Sequence, residues 1–130
     1  MDKVVHFEIP VDDRGRAKEF YATAFEWDVQ DSDMGGGSVY TTAGTVAVDE
    51  KMRPKESGAI NGGLMDRTSD TPVPEITIGV DSIDDSLKKV EAGGGSTITP
   101  RTPIPNMGAF AYFKDTEGNV MGLWETASPS

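Results

Sequence analysis

The sequence predicts an α+β fold in which two βαβββ modules form one curved mixed sheet around a shared cavity. Three observations support this prediction. In each half of the chain a strand pattern runs directly into an acidic helix start, first at Val11 and Asp12 and again at Val80 and Asp81. Each half also ends in a similar motif, GLMD at 63–66 and GLWE at 122–125. A length of 130 residues suits one domain with a proper core.

The two modules are therefore expected at about 1–67 and about 73–126 of a single domain spanning 1–130. In module one, apolar side chains alternate along 4–11, which is the period of a strand with one apolar face. That alternation places His6 and Glu8 together on the opposite face.

A helix is predicted to follow, because apolar side chains recur at helical spacing behind an N-cap at Asp12 or Asp13. Its aromatic residues and the one just after it are expected in the core. Shorter strands should follow, and a loop at 52–63 should lead into a last strand around 63–67. The aromatic residues are Phe20, Tyr21, Phe25 and Trp27, and the shorter strands are 27–30, 38–42 and 45–48.

Module two repeats the pattern, with a strand at 76–80 and a helix whose start resembles a capping box of Ser82 and Asp85. Glycines from Gly93 onward end that helix. Residues 100–107 are predicted to be a proline-stiffened loop. Three strands complete the module, at 96–99, 109–113 and 120–125, with a hairpin turn at 115–119 between the last two.

Composition excludes several classes of function. The chain has 22 acidic and 12 basic residues, a formal charge of -10 and no basic run, which argues against nucleic acid as a partner. No apolar run approaches the roughly 20 residues needed to cross a bilayer, and no signal peptide pattern is present, so no membrane association and a cytoplasmic location are expected. The absence of cysteine excludes disulfides, thiolate nucleophiles and cysteine metal sites.

The repeat also predicts a site. Counting back five residues from Val11 and from Val80 reaches His6 and Glu75, and the end motifs pair Asp66 with Glu125. One imidazole and three carboxylates that met in one cavity would need a divalent cation, or protonation of a carboxyl group, to relieve their repulsion. Oxygen-rich ligation suits Mn, Mg, Ca, Ni or Zn. A metal-free pocket is the alternative, and His6 at a core edge, hydrogen-bonded to Glu8, is the plain structural interpretation.

Four segments carry a resemblance to a known family. The stretches HFEIPVDD, RAKEFYATAFEW, GVDSID and FKDTEGNVMGLWE resemble the vicinal oxygen chelate superfamily, and within it the glyoxalase/bleomycin resistance branch that includes lactoylglutathione lyase. The resemblance implies that metal ligands come from the first and last strands of each module. Those positions fall here on His6, Asp66, Glu75 and Glu125. Glu75 stands where related enzymes commonly have histidine, and one histidine per chain does not suit the two-histidine dioxygenases.

The resemblance leaves three functions open. The first is a lyase or isomerase in which a divalent metal binds vicinal oxygens of a small substrate, with Glu125 as the general base and Glu75 as its symmetric counterpart. The second is a metal-free protein that binds a small molecule such as an antibiotic, and the third is a relative that has lost its chemistry. A homodimer is expected in each case, because open sheet edges favour pairing.

Overall fold

The computed structural model describes residues 1–35 and 38–127. Within these residues the chain forms eight strands and two helices, which confirms the α+β class and the two βαβββ modules. The elements are β1 (Lys3–Val11), α1 (Arg14–Phe25), β2 (Asp28–Gly35), β3 (Ser38–Gly44), β4 (Gly62–Asp66), β5 (Glu75–Gly79), α2 (Ile83–Ala92), β6 (Ser96–Ile104), β7 (Gly108–Lys114) and β8 (Val120–Thr126).

The chain divides into two compact units. His6–Pro74 form the N-terminal unit, and Met1–Val5 with the residues from Glu75 onward form the C-terminal unit. The strand order is β2-β3-β4-β1 in the N-terminal unit and β5-β8-β7-β6 in the C-terminal unit. In each unit one pair, β1 with β4 or β5 with β8, is parallel and the others are antiparallel. No described helix is long and apolar enough to span a membrane.

The core of the N-terminal unit lies on the sheet face that α1 covers. Its buried residues are Val11, Ala43 and Leu64. Partly buried side chains pack against them, among them Phe7, Ile9, Ala17, Tyr21 and Trp27. Because side chains alternate along a strand, His6 and Glu8 belong to the opposite face, as the sequence predicted.

Helix α1 begins as predicted, with the Asp13 side chain accepting a hydrogen bond from the Arg16 N–H at 2.9 Å. The prediction that its aromatic residues are core is wrong in part, because Phe20 is 56% exposed and Phe25 is 60% exposed. At 3.6 residues per turn, Ala17 and Tyr21 lie one above the other toward the sheet. Phe20 and Phe25 lie away from that line, and the centroids of their rings are 6.2 Å apart.

One strand prediction and one loop prediction are wrong. The expected strand at 45–48 does not form, since the Asn61 Oδ1 atom accepts the Thr45 and Val46 N–H groups at 2.7 and 3.1 Å. Only an isolated bridge joins Val48 to Pro54. The expected loop at 100–107 is mostly strand, because β6 continues to Ile104 in two shifts of register. Its prolines are tolerated at the end of the strand order, where a missing N–H breaks no second ladder.

The C-terminal unit has the larger core. Ile83 and Leu87 of α2 pack on the sheet with Leu123 of β8 and with the apolar face of β7. The helix begins as predicted, with the Ser82 hydroxyl accepting the Asp85 N–H at 3.2 Å. The hairpin between β7 and β8 also forms as predicted, because the Asp115 Oδ1 atom accepts the N–H groups of Glu117 and Asn119 at 2.9 and 2.8 Å.

Candidate functional site

Three polar side chains meet on the face of the N-terminal sheet opposite α1. The His6 Nε2 atom lies 2.7 Å from the Glu8 Oε1 atom, and the Tyr40 hydroxyl donates to the same oxygen at 2.9 Å. The Tyr40 hydroxyl and the His6 Nε2 atom are 3.1 Å apart. We call His6, Glu8 and Tyr40 the polar cluster.

Strand pairing brings the polar cluster together. In β1, His6 and Glu8 are two residues apart and therefore share a face. Glu8 lies opposite Gly63 of β4, and Gly63 lies opposite Thr42 of β3, so Tyr40 is two residues along from Thr42 on that face. A Cβ atom at Gly63 would collide with the Tyr40 hydroxyl and lie 3.0 Å from the Glu8 Oε2 atom. Glycine is required there for the tyrosine to reach the glutamate.

Glu8 is buried, and one of its carboxylate oxygens accepts no hydrogen bond from the described residues. The residue is only 9% exposed. Its Oε1 atom is paired with two donors, but its buried Oε2 atom has no hydrogen-bond partner within the described part of the chain. A buried polar atom left unpaired costs about 1 to 3 kcal/mol of stability. A buried acceptor of this kind calls for a donor from outside the described residues, such as a water molecule or a ligand.

The hydrogen atoms of the polar cluster can be assigned from its geometry. An ionised Glu8 carboxylate only accepts hydrogen bonds, so we assign the hydrogen to the His6 nitrogen that lies 2.7 Å from its Oε1 atom. His6 therefore donates from Nε2, and in the neutral ring Nδ1 holds the lone pair. No hydrogen bond or ion pair among residues 1–35 and 38–127 uses Nδ1, and the side chain is 29% exposed.

Glu75 is the counterpart of His6 in module two. Glu75 is buried at the start of β5. Two residues further along the same strand, Thr77 lies opposite Gly122 of the parallel strand β8. A Cβ atom at Gly122 would lie 2.7 Å from the Thr77 Oγ1 atom and 3.0 Å from the Glu75 Oε1 atom. Gly63 and Gly122 thus hold equivalent positions, each beside a buried carboxylate.

Glu125 lies on the other face of that sheet. It follows Leu123, whose side chain is in the core beneath α2, and alternation turns both toward the helix. Its Oε1 atom accepts the Ile83 N–H at 2.8 Å, and Arg101 donates to Oε2 at 3.1 and 2.8 Å. The hydrogen bonds from Arg101 and from the Ile83 backbone hold the pKa of Glu125 below its ordinary value, although burial opposes them.

This pKa predicts how acid affects stability. Because the folded-state pKa of Glu125 is below the ordinary 4.5, its contribution is present above pH 4.5 and is lost as the pH falls through the folded value. We expect the difference in free energy of unfolding between wild type and Glu125→Gln to shrink in that acidic range. Urea titrations of both proteins at a series of pH values measure it. A difference that stays constant would contradict the assignment.

Asp66 is also engaged elsewhere. It forms an ion pair with Arg14 of α1 at 2.9 Å, and its side chain is 82% exposed. Arg14 also donates to the Thr41 hydroxyl at 2.5 Å and to the Leu64 carbonyl at 3.3 Å, so the guanidinium ties α1 to β3 and β4. Asp66 and Glu125 are thus equivalent in the repeat, as expected, and each binds an arginine.

Within each unit the predicted site residues do not converge. Glu75 and Glu125 lie on opposite faces of the β5–β8 pair, and Asp66 lies opposite Val11 rather than near His6. In neither unit do the described residues include three or more His, Asp or Glu side chains placed to hold a metal. The sequence pattern did not predict Tyr40 as a site residue, and it predicted Glu8 only as a hydrogen-bond partner of His6.

The polar cluster does not fit the predicted metal site. A resident transition metal such as zinc takes three or four protein ligands. The cluster offers one imidazole and one carboxylate, and the His6 Nε2 and Glu8 Oε1 atoms are already hydrogen-bonded to each other. Two of the predicted carboxylate ligands, Asp66 and Glu125, are bound by Arg14 and Arg101.

Comparison with known proteins places the chain in a family. A profile described as Glyoxalase/Bleomycin resistance protein/Dioxygenase superfamily matches residues 3–123. Curated relatives named "Putative glyoxylase CFP32" occur in Mycobacterium bovis and Mycobacterium tuberculosis. They are 32% identical over 123 residues, which is 91% of this chain and 43% of theirs. The chain therefore spans less than half the length of these relatives.

Solved structures agree on the fold. A hypothetical protein from Bacillus halodurans C-125 superposes with a TM-score of 0.67 and 17% identity, covering 99% of this chain and 97% of that one. A variant methylmalonyl-CoA epimerase from Streptomyces coelicolor, in complex with 2-nitronate-propionyl-CoA, also gives 0.67, with 16% identity and 97% and 98% coverage. Identities this low support the fold alone. From the profile match over nearly its whole length, the chain belongs to the glyoxalase/bleomycin resistance protein/dioxygenase superfamily.

Proposed function

We propose that this chain binds a small organic molecule without a resident metal, as the antibiotic-binding members of the superfamily do, and that the polar cluster is its recognition site. The observation that carries the proposal is the Glu8 carboxylate, which is buried against two donors and keeps one oxygen without a partner among the described residues. The net charge of -10 supports neutral or cationic ligands over anionic ones.

The first test of this proposal is metal content. Protein purified without a histidine tag or chelator should hold far less than one equivalent of Mn, Mg, Ca, Ni or Zn per chain by elemental analysis. Asp66→Asn is a matched control, because it removes one predicted ligand that lies outside the polar cluster. A full equivalent of metal that is retained in the parent and lost in His6→Ala would overturn the proposal.

The second test is ligand binding. The chain has one histidine, so the carbon-bound imidazole protons give one set of NMR signals that reports on the polar cluster. A panel of small amines, amides, alcohols and carboxylates should include members that shift these signals equally with and without EDTA. Tyr40→Phe should weaken the response. Tyr21→Phe is the control, because Tyr21 lies outside the polar cluster and stacks on Trp27 with ring centroids 4.8 Å apart. No shift from any member would count against the site.

A metal-dependent lyase or isomerase is the second candidate. One observation favours it. Glu8 is hydrogen-bonded to the His6 ring, and metal-binding histidines are commonly oriented by a carboxylate in the same way. Its ligands would be drawn from the predicted set of His6, Glu75, Glu125 and Asp66, with Glu125 and Glu75 as bases. Glu125 and Asp66 would first have to leave Arg101 and Arg14. The elemental analysis separates the two candidates.

We also propose a homodimer in the cytoplasm. The exposed rings of Phe20 and Phe25, 6.2 Å apart on α1, support a surface that another chain covers. Sedimentation velocity should give twice the 13.9 kDa chain mass for wild type and the chain mass for Phe20→Ser with Phe25→Ser. Val73→Ser, at another exposed apolar side chain of the same unit, is the control. A monomeric wild type would contradict the dimer.

A further inference from the structure

We infer that the polar cluster recognises its ligand as a hydrogen-bond donor, which selects ammonium and hydroxyl compounds and rejects carboxylates and other anions. This inference rests on the proposed function, because it names the chemical class of ligand for the same site. It follows from an accounting of the donors and acceptors that the three side chains have left after they bind one another.

Both hydrogens of the cluster are already used. The His6 Nε2–H and the Tyr40 hydroxyl hydrogen converge on one atom, the Glu8 Oε1, at 2.7 and 2.9 Å. A neutral imidazole has no second N–H, and a phenol has no second O–H. Neither side chain therefore has a hydrogen to offer a ligand while this arrangement holds.

What the cluster has left is acceptors. With the hydrogen on Nε2, the His6 Nδ1 atom holds a lone pair that no described residue uses, and the side chain is partly exposed, so Nδ1 is the acceptor that the imidazole retains for a ligand. The Glu8 Oε2 atom is buried and accepts no hydrogen bond from the described residues, so the negative charge of an ionised Glu8 is only partly compensated by the donors of the cluster. A ligand that brings a donor compensates the remaining charge, and a ligand that brings an anion adds to it.

Packing keeps the arrangement fixed. The Tyr40 hydroxyl sits over Gly63, where no side chain competes for the space. Glu8 is the positioning residue, because its charge decides which ring nitrogen carries the hydrogen. Its replacement by glutamine should therefore change the ligand preference, not only the stability.

The experiment uses probes that differ in one group: benzylamine, benzyl alcohol and benzoate. Nitrogen-15 spectra of the single histidine in the full chain, at neutral to mildly alkaline pH, should show the hydrogen on Nε2. Benzylamine and benzyl alcohol should shift the Nδ1 signal, and benzoate should not. In Glu8→Gln the amide can donate to Nε2 and move the hydrogen to Nδ1. The preference for benzylamine over benzoate should then fall at least about tenfold.

Controls separate this inference from the proposal beneath it. Asp66→Asn removes a charge from the same unit, away from the cluster, and should leave the preference unchanged. If the wild type carries its hydrogen on Nδ1, or if benzoate binds better than benzylamine, the inference is overturned while ligand binding itself stands. If none of the three probes shifts the His6 signals in the wild type, the inference fails, and failure across the wider panel would also overturn the binding site.

Discussion

Replacing Glu125 by alanine is expected to lower the free energy of unfolding by about 2 kcal/mol, because a largely buried, charged acceptor of several hydrogen bonds is lost. The carboxylate accepts the first N–H of α2, at Ile83, and binds Arg101 of β6. It therefore joins the last strand of its unit to both the helix and the outermost strand. Chemical denaturation followed by circular dichroism measures the loss.

Two variants separate the contributions. Glu125→Gln keeps an oxygen for the Ile83 N–H and loses only the charge toward Arg101, so it should cost less than Glu125→Ala. Asp66→Ala removes the equivalent residue of module one, whose ion pair with Arg14 is exposed, and should cost less than about 1 kcal/mol. Equal losses in Glu125→Ala and Asp66→Ala would show that the contact with α2 contributes nothing beyond an exposed ion pair.

Replacing Gly63 by alanine is expected to dismantle the polar cluster without removing any of its polar groups. The new Cβ atom would collide with the Tyr40 hydroxyl, and the tyrosine ring is the part that can move. Overpacking of this kind costs about 1 to 3 kcal/mol. With Tyr40 displaced, Glu8 loses one of its two donors, so the His6 signals should change and the response to benzylamine should weaken.

Gly15→Ala is the matched control for that experiment. Gly15 lies in α1 of the same unit, and a Cβ atom there would meet only the Asp13 side chain at 3.7 Å, an ordinary contact. Alanine should stabilise the helix by up to about 1 kcal/mol and leave the His6 signals unchanged. A Gly63→Ala protein with wild-type His6 signals and wild-type response to benzylamine would show that Tyr40 is not held over Gly63 as described.

The sequence predicted local structure well where one side-chain period dominates. The alternation in β1 predicts that His6 and Glu8 share one face, and the structure shows the hydrogen bond between them that this placement allows. The caps at Asp13 and Ser82 fixed both helix starts, since capping involves residues only three apart. Where a distant side chain intervened, as Asn61 does at Thr45, the strand prediction was wrong.

The candidate site depends on contacts that no local pattern carries. Tyr40 reaches Glu8 because β3 and β1 both flank β4, and strand order is a property of the assembled sheet. The end motifs identified Asp66 and Glu125 as equivalent, but the repeat does not say which face they occupy. Their position two residues after the core leucines Leu64 and Leu123 is the signal that places them on the helix side.

By itself the sequence determined the two βαβββ modules, both helix starts and the pairing of equivalent positions between modules. Those features follow from side-chain periodicity, capping and repetition, all of which act over short stretches of chain. Only the tertiary structure decided which polar groups meet. It joined Tyr40 to the pair in β1 and gave arginine partners to Asp66 and Glu125, because hydrogen bonds between residues tens of positions apart form only after the strands have packed.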